Sequence, residues 1–147
     1  WTLSRGLGDV YKRQVIVDDQ IFSSIKRGCL LFVCFEVNDS FKEVKEMTDK
    51  LITFRMLDGP KGITSRSLKD SDEEVLIVSQ FTLAAITNKG SKPSFHKAAK
   101  TDDAKLLYDK FVNEFKKTSL RVEEGKFGAF MEINLVNNGP VTFNFKI

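Results

Sequence analysis

The spacing of hydrophobic positions along this chain changes from stretch to stretch, and each spacing predicts an element. Val75-Leu76-Ile77-Val78-Ser79-Gln80-Phe81-Thr82-Leu83 is an apolar run ending in polar groups, bounded by Glu73-Glu74 and Asn88-Lys89-Gly90. It predicts a strand over 75–83 buried on both faces. Cys29-Leu30-Leu31-Phe32-Val33-Cys34-Phe35, entered through Arg27-Gly28, predicts a second strand of that kind. Val15-Ile16-Val17, a polar turn at Asp18-Asp19-Gln20, and Ile21-Phe22 predict a hairpin. Helical spacing appears at Phe41, Val44, Met47, Leu51 and Ile52 behind the cap cluster Asn38-Asp39-Ser40, so 40–53 reads as an amphipathic helix with a solvated charged face. A second helix has Thr101 as its cap, Asp102 and Asp103 in its first turn, and Lys116 and Lys117 in its last. Its core stripe is Ala104, Leu107, Tyr108, Phe111, Val112 and Phe115.

Phe54-Arg55-Met56 and Leu120-Arg121-Val122 are short strand candidates, Asp58 to Gly62 and Gly125 to Gly128 are turns, and Ser65 to Asp72 and Ile86 to Ser94 are loops. Met131 to Val136 and Val141 to Phe145 alternate, predicting two antiparallel strands joined by Asn137-Asn138-Gly139-Pro140. Seven or eight strands and two helices in this order predict an α+β domain. Its curved antiparallel sheet forms barrel-like layers, with the two main helices packed against them.

Composition narrows the class. A chain of 147 residues, 41% hydrophobic and with 13 phenylalanines, fits one globular domain with a sizeable core. Residues 1–14 show neither period. Gly6 to Gln14 resembles a translated adapter sequence and lacks the apolar centre of a secretory signal, so 1–14 is set apart as a non-native segment and 15–147 as the domain. The net charge of +3 permits contact with nucleic acid without arguing for it. No apolar run approaches about 18 residues, so no membrane span is expected. Cys29 and Cys34, five apart on one strand, cannot bridge each other and read as reduced thiols, which points to the cytoplasm.

Common catalytic constellations are missing. His96 is the one histidine and reads as a surface or cap residue; no Gly-x-Ser-x-Gly elbow supports a triad. Too few His and Cys are present for a metal site, and no phosphate-binding loop or dinucleotide fingerprint occurs, so no metal or other cofactor is expected. What remains is Ser79-Gln80-Phe81-Thr82 and Asn137-x-Gly139-Pro140-x-Thr142. Each alone is a weak signal, because Ser and Thr at strand ends commonly bond the backbone and Gly-Pro commonly just turns.

Together, and with Arg27-Gly28, Lys89-Gly90-x-x-Pro93-Ser94-Phe95 and Gly125-x-Phe127-Gly128-Ala129-x-Met131, these motifs resemble the D-aminoacyl-tRNA deacylases (the D-tyrosyl-tRNA(Tyr) deacylase family) over residues 15–147. The resemblance implies a homodimeric, metal-free hydrolase that proofreads tRNA by cleaving the ester of a D-amino acid, and of glycine from some mischarged tRNAs. It implies catalytic roles for Ser79, Gln80, Phe81 and Thr82, and substrate contacts at Gly139, Pro140, Asn137, Met131 and Phe95. It also implies a cis Gly139-Pro140 bond whose loop acts in the partner subunit's site. Lys89, Lys92 and Lys97 are candidate tRNA phosphate contacts.

An aminoacyl ester is already activated, so backbone N–H groups near Phe81 and Thr82 could supply the oxyanion stabilisation that is needed. Thr82 reads as a positioning hydroxyl rather than a nucleophile, since no adjacent base is evident. Chirality would be read by excluding the L side chain, a filter glycine escapes. The chain departs from the family at Gly8-Asp9, where Gln-Arg would lie, at Ala84-Ala85-Ile86 and at Asn138. The competing readings are a non-catalytic tRNA-binding relative and an editing domain of threonyl-tRNA synthetase type.

Overall fold

The computed structural model describes the backbone of Thr2–Arg5 and residues 13–137 and 141–147; Asn138, Gly139 and Pro140, and with them the expected cis bond, lie outside the described residues. The described strands are β1 (Thr2–Arg5), β2 (Arg13–Val17), β3 (Gln20–Ile25), β4 (Gly28–Val33), β5 (Leu57–Gly59), β6 (Gly62–Arg66), β7 (Glu74–Ser79), β8 (Val122–Glu124), β9 (Glu132–Asn134) and β10 (Val141–Asn144). The helices are α1 (Phe41–Thr53) and α2 (Thr101–Lys116), and short 3-10 turns span Leu68–Asp70 and Phe81–Ala84.

The architecture is α+β, as expected, and the pairing is richer than expected. A five-stranded sheet runs β10-β1-β4-β7-β8, a three-stranded sheet runs β3-β2-β9, and β5 pairs β6. β1 is antiparallel to β4 and to β10, but β4 pairs β7 and β7 pairs β8 in parallel. Parallel pairing suits strands that are apolar on both faces. Cys29, Leu31, Val33, Val75 and Ile77 face α1 and α2, packing with Val44, Met47, Leu51, Phe111 and Phe115. Leu30, Leu76 and Val78 face the three-stranded sheet and meet Val15 and Ile25. Burying each such side chain contributes about 1.5–3 kcal/mol. The central strands therefore separate two cores, which is why their sequence shows no alternation.

Several local expectations shift. The hairpin forms with Asp18 and Asp19 both at positive φ, the two-residue turn that matches strand twist. Leu57–Gly59 is strand where Phe54-Arg55-Met56 was expected, and the strand after Leu120 starts at Val122. The polar stretch 65–72 contains the end of β6 and a 3-10 turn. β9 and β10 do not pair with each other. β9 lies on β2 and β10 on β1, in two different sheets. The segment set apart at the N-terminus contributes to both sheets. Thr2–Arg5 runs between β10 and β4, and buried Arg13 donates from Nη1 to the Lys26 carbonyl at 3.5 Å.

Gly28 is fixed by the parallel pairing itself. A Cβ there would lie 1.8 Å from the Glu74 carbonyl oxygen, a backbone atom that cannot rotate away. Gly28→Ala is expected to destabilise the chain by about 3 kcal/mol, read as a fall in the urea midpoint.

α1 begins with a capping box. Ser40 accepts from the Lys42 N–H at 3.3 Å, and Glu43 accepts from the Ser40 N–H at 2.7 Å and from its hydroxyl. These bonds, the Ser40 hydroxyl first, hold the Glu43 carboxyl below its ordinary value of 4.5. A depressed carboxylate stabilises the fold above its unfolded value and loses that contribution as pH falls through the folded one. The stability gap between wild type and Glu43→Gln should therefore be open at pH 7 and narrow as pH falls below the ordinary carboxylate value of 4.5, in paired denaturant titrations. Among the described residues no helix is long and apolar enough to cross a membrane.

Candidate active site

Because β4 and β7 are parallel, their C-terminal ends lie side by side: Val33 is level with Ser79. The chain leaves both strands at this edge. After β7, the Gln80 N–H donates to the Val33 carbonyl at 2.8 Å, and the backbone turns into the 3-10 turn Phe81–Ala84. The strand thus stops at Ser79, four residues short of the expected Leu83. Leu83 is the first residue of the turn whose N–H finds an acceptor within it, on Gln80 at 3.2 Å. The N–H groups of Phe81 and Thr82 precede it and have no partner inside the turn, as at any helix start.

Below the turn lies Cys34. Its thiol donates to the Phe35 and Phe81 carbonyls at 3.5 Å. Burial pushes this thiol above its ordinary value, opposed by a hydrogen bond from the Ala84 backbone, so it stays protonated and acts as a donor. Cys29 is buried in the helix-side core. On the turn itself the Gln80 Nε2 donates to the Thr82 hydroxyl oxygen across a very short contact. That contact occupies a lone pair of Thr82 and leaves its O–H to donate outward.

The turn borders a cleft of about 700 Å³. Ser79, Gln80, Phe81, Phe95 and Met131 line it, so five of the candidates from the sequence are brought together. Phe81 and Phe95 meet edge to face with centroids 5.2 Å apart. Three elements hold the opposite walls. The 97–99 segment is bonded to 35–37, with Val37 N–H to Lys97 and Ala99 N–H to Phe35, and leads into α2. α2 places Thr101 and Ala104 on the cleft. Its cap is Lys100 rather than Thr101, without a capping side chain. The turn at 126–129, with Gly128 at φ +76°, brings Phe127, Ala129 and Phe130 to the lining.

Tyr108 fixes that last wall from beneath. Its hydroxyl donates to the Ile77 carbonyl at 2.8 Å and lies 3.4 Å from that of Gly125, while its ring stacks on Phe127 at 5.5 Å. Burial, with Glu124 and Asp109 adding to it, pushes the phenol up, so it remains a donor throughout the physiological range. Met131 sits against Gly125, where an added Cβ would come within 3.0 Å of its sulfur.

Other candidates stand elsewhere. Thr82 is exposed on the turn and touches Gln80, but it is not among the lining side chains. Asn137 does not line the cleft either. Its amide donates to the Thr142 hydroxyl at 3.1 Å and its carbonyl accepts from the Val141 N–H at 3.4 Å, tying together the two ends of the 138–140 connection. Lys89, Lys92 and Lys97 are exposed on the segment before α2 and are not cleft-lining; Lys100 is. His96 bonds Ser94 through Nδ1 at 2.7 Å. Sequence reasoning missed Cys34, Phe35, Lys100, Thr101 and Phe130 as site residues. Their available signal was position: Cys34 and Phe35 at the end of an apolar run, Lys100 and Thr101 at a helix start, and Phe130 inside the Gly125-x-Phe127-Gly128-Ala129-x-Met131 motif.

A family model described as D-Tyr-tRNA(Tyr) deacylase matches residues 7–146. A D-aminoacyl-tRNA deacylase of Francisella tularensis subsp. novicida is 42% identical over 133 residues, 90% of this chain and 92% of the relative. One of Thermotoga petrophila is 41% identical over 133 residues, 90% and 89% of the two chains. Among solved structures, the c-Myc DNA unwinding element binding protein superposes with a TM-score of 0.88 at 33% identity, covering 99% of this chain and 97% of that one. A probable eukaryotic D-amino acid tRNA deacylase shares the fold, with a TM-score of 0.83 at 17% identity over 99% and 97% of the two chains. With the motifs in order and the family model spanning nearly all of it, this chain belongs to the D-Tyr-tRNA(Tyr) deacylase family.

Proposed function

We propose that the cleft hydrolyses the ester joining a D-amino acid to the 3′ end of tRNA, a proofreading and tRNA-editing reaction carried out in the cytoplasm, with glycyl esters as additional substrates. One observation supports this reading: the Phe81–Ala84 turn, held at the ends of two parallel strands, borders the cleft, and the N–H groups of Phe81 and Thr82 have no partner inside the turn. Water attacks the ester carbon, and the carbonyl electrons move to an oxygen that accepts hydrogen bonds from these two groups. Collapse of the tetrahedral intermediate releases the amino acid as its carboxylic acid. The 3′-oxygen leaves with a proton, and the neighbouring 2′-hydroxyl of the terminal ribose assists that transfer.

Thr82 positions substrate or water in this scheme. Its hydroxyl oxygen already accepts from Gln80, and no histidine, lysine or carboxylate touches it among the described residues, so nothing there removes its proton. Met131, Phe95 and Ser79 line the cleft and are assigned to contacts with the aminoacyl end of the substrate. A homodimer completes the site by inserting the Gly139-Pro140 loop of one subunit into the other. The Asn137–Thr142 clasp at the base of that loop supports this reading, because it fixes both ends of a short presenting segment. The loop's backbone would hold the substrate ammonium and leave no space for an L side chain.

The test is single-turnover incubation with D-Tyr-tRNA. Free D-tyrosine and intact tRNA are expected, with no mass added to the protein at any time point. An aminoacyl adduct on Thr82 would overturn the assignment of a positioning role. Binding of D-Tyr-tRNA without release of tyrosine would favour a second reading, nucleic-acid binding without chemistry, which the name of the 33% identical structural relative supports.

A further inference from the structure

Phe130 has no part in the chemistry above, yet it is 90% exposed, the most exposed of the large hydrophobic residues described. A single exposed apolar residue needs no explanation. This one lines the cleft, as do two other exposed phenylalanines, Phe81 at 58% and Phe95 at 38%. Phe81 and Phe95 meet each other, whereas Phe130 has no ring partner among the described residues. It directly follows the turn at 126–129, in which Gly128 has a positive φ. The same lining carries the exposed Lys100, and Lys89, Lys92 and Lys97 are exposed on the segment leading to it. An exposed ring that shares its cleft with an ammonium group, with further lysines on the adjoining segment, is a combination that suits single-stranded nucleic acid: the ring takes a base face of any identity and the lysines take phosphates.

We infer that Phe130 is a stacking platform for a base of the unpaired 3′ terminus of the substrate RNA, placing the ester at the Phe81–Thr82 turn. The inference rests on the proposed function and adds a substrate-positioning residue to it. The ring acts on how the RNA is held and not on the reacting atoms, so its removal falls on KM rather than on kcat.

Two measurements on the full chain test this. In steady-state hydrolysis of D-Tyr-tRNA, Phe130→Ala should raise KM about tenfold or more with a far smaller change in kcat, and Phe130→Trp should return KM to near the wild-type value. Separately, the trinucleotide CpCpA, which matches the tRNA 3′ end, should quench the fluorescence that Phe130→Trp adds over wild type. An unchanged KM, a loss confined to kcat, or a Trp variant as poor as the Ala variant would overturn the inference. So would conversion of a wild-type dimer to monomer by Phe130→Ala, which would assign the ring to a contact with a second copy. If wild type fails to hydrolyse D-Tyr-tRNA, the proposed function is at fault. The quenching then decides the stacking by itself: quenching supports it and no quenching removes it.

Discussion

Phe81→Pro should lower kcat for D-Tyr-tRNA by about a hundredfold to a thousandfold, the loss that accompanies removal of one oxyanion donor. The substitution takes away a single N–H. Phe81 is the first residue of the 3-10 turn, where proline fits by its fixed φ and where no bond within the turn is sacrificed. Gln80 before it has φ −141° and ψ 86°, already outside the helical region that proline disfavours in its predecessor. The ring is lost as well, and with it the edge-to-face contact with Phe95 at 5.2 Å. Phe81→Ala supplies the control, since it removes the ring and keeps the N–H. The expected order is therefore wild type, then Phe81→Ala with a small loss, then Phe81→Pro far below both. Equal activities of the Ala and Pro variants would show that the Phe81 N–H carries no charge development.

Thr82→Val should cost about a hundredfold in kcat, because it keeps the volume of the side chain and removes the one hydroxyl on the turn. Gln80→Ala should cost less. Its amide acts through Thr82, holding the hydroxyl oxygen so that the O–H points away from it. A pair that works as one unit is not additive, so Gln80→Ala placed on Thr82→Val should add little. Full additivity in that double-mutant cycle would mean that Gln80 touches the substrate directly.

The elements of this fold were legible wherever burial alone decided them. The apolar runs are strands over 29–33 and 75–79, and the stripes beginning at Val44 and Ala104 are helices, because one or both faces must leave water. Pairing was not legible. Double-sided burial of β4 and β7 is the mark of parallel strands, but the short loops elsewhere suggested hairpins, and β9 and β10 read as one hairpin when they belong to two sheets. The same oversight hid part of the site. Once β4 and β7 are parallel, whatever follows each strand meets at one edge, and Cys34 and Phe35 join Ser79 and Gln80 there.

The motif residues Ser79, Gln80 and Phe81 were found because their order was distinctive. Lys100 and Thr101 were not, because a helix start looks the same whether or not it borders a cleft. Asn137 was read as a substrate contact, and its described bonds run along its own loop to Val141 and Thr142. N-terminal residues set apart for their lack of period and their adapter-like string supply a strand inside the sheet, since backbone pairing asks for an extended chain more than for a particular side chain.

The most direct measurement is hydrolysis of D-Tyr-tRNA and L-Tyr-tRNA by the purified chain, side by side, with a Pro140→Ala variant in parallel. A backbone-built esterase with a chiral filter predicts release of D-tyrosine only, and near-complete loss of that activity in the Pro140→Ala variant. Equal cleavage of both esters, or a Pro140→Ala variant as active and as selective as wild type, would contradict it.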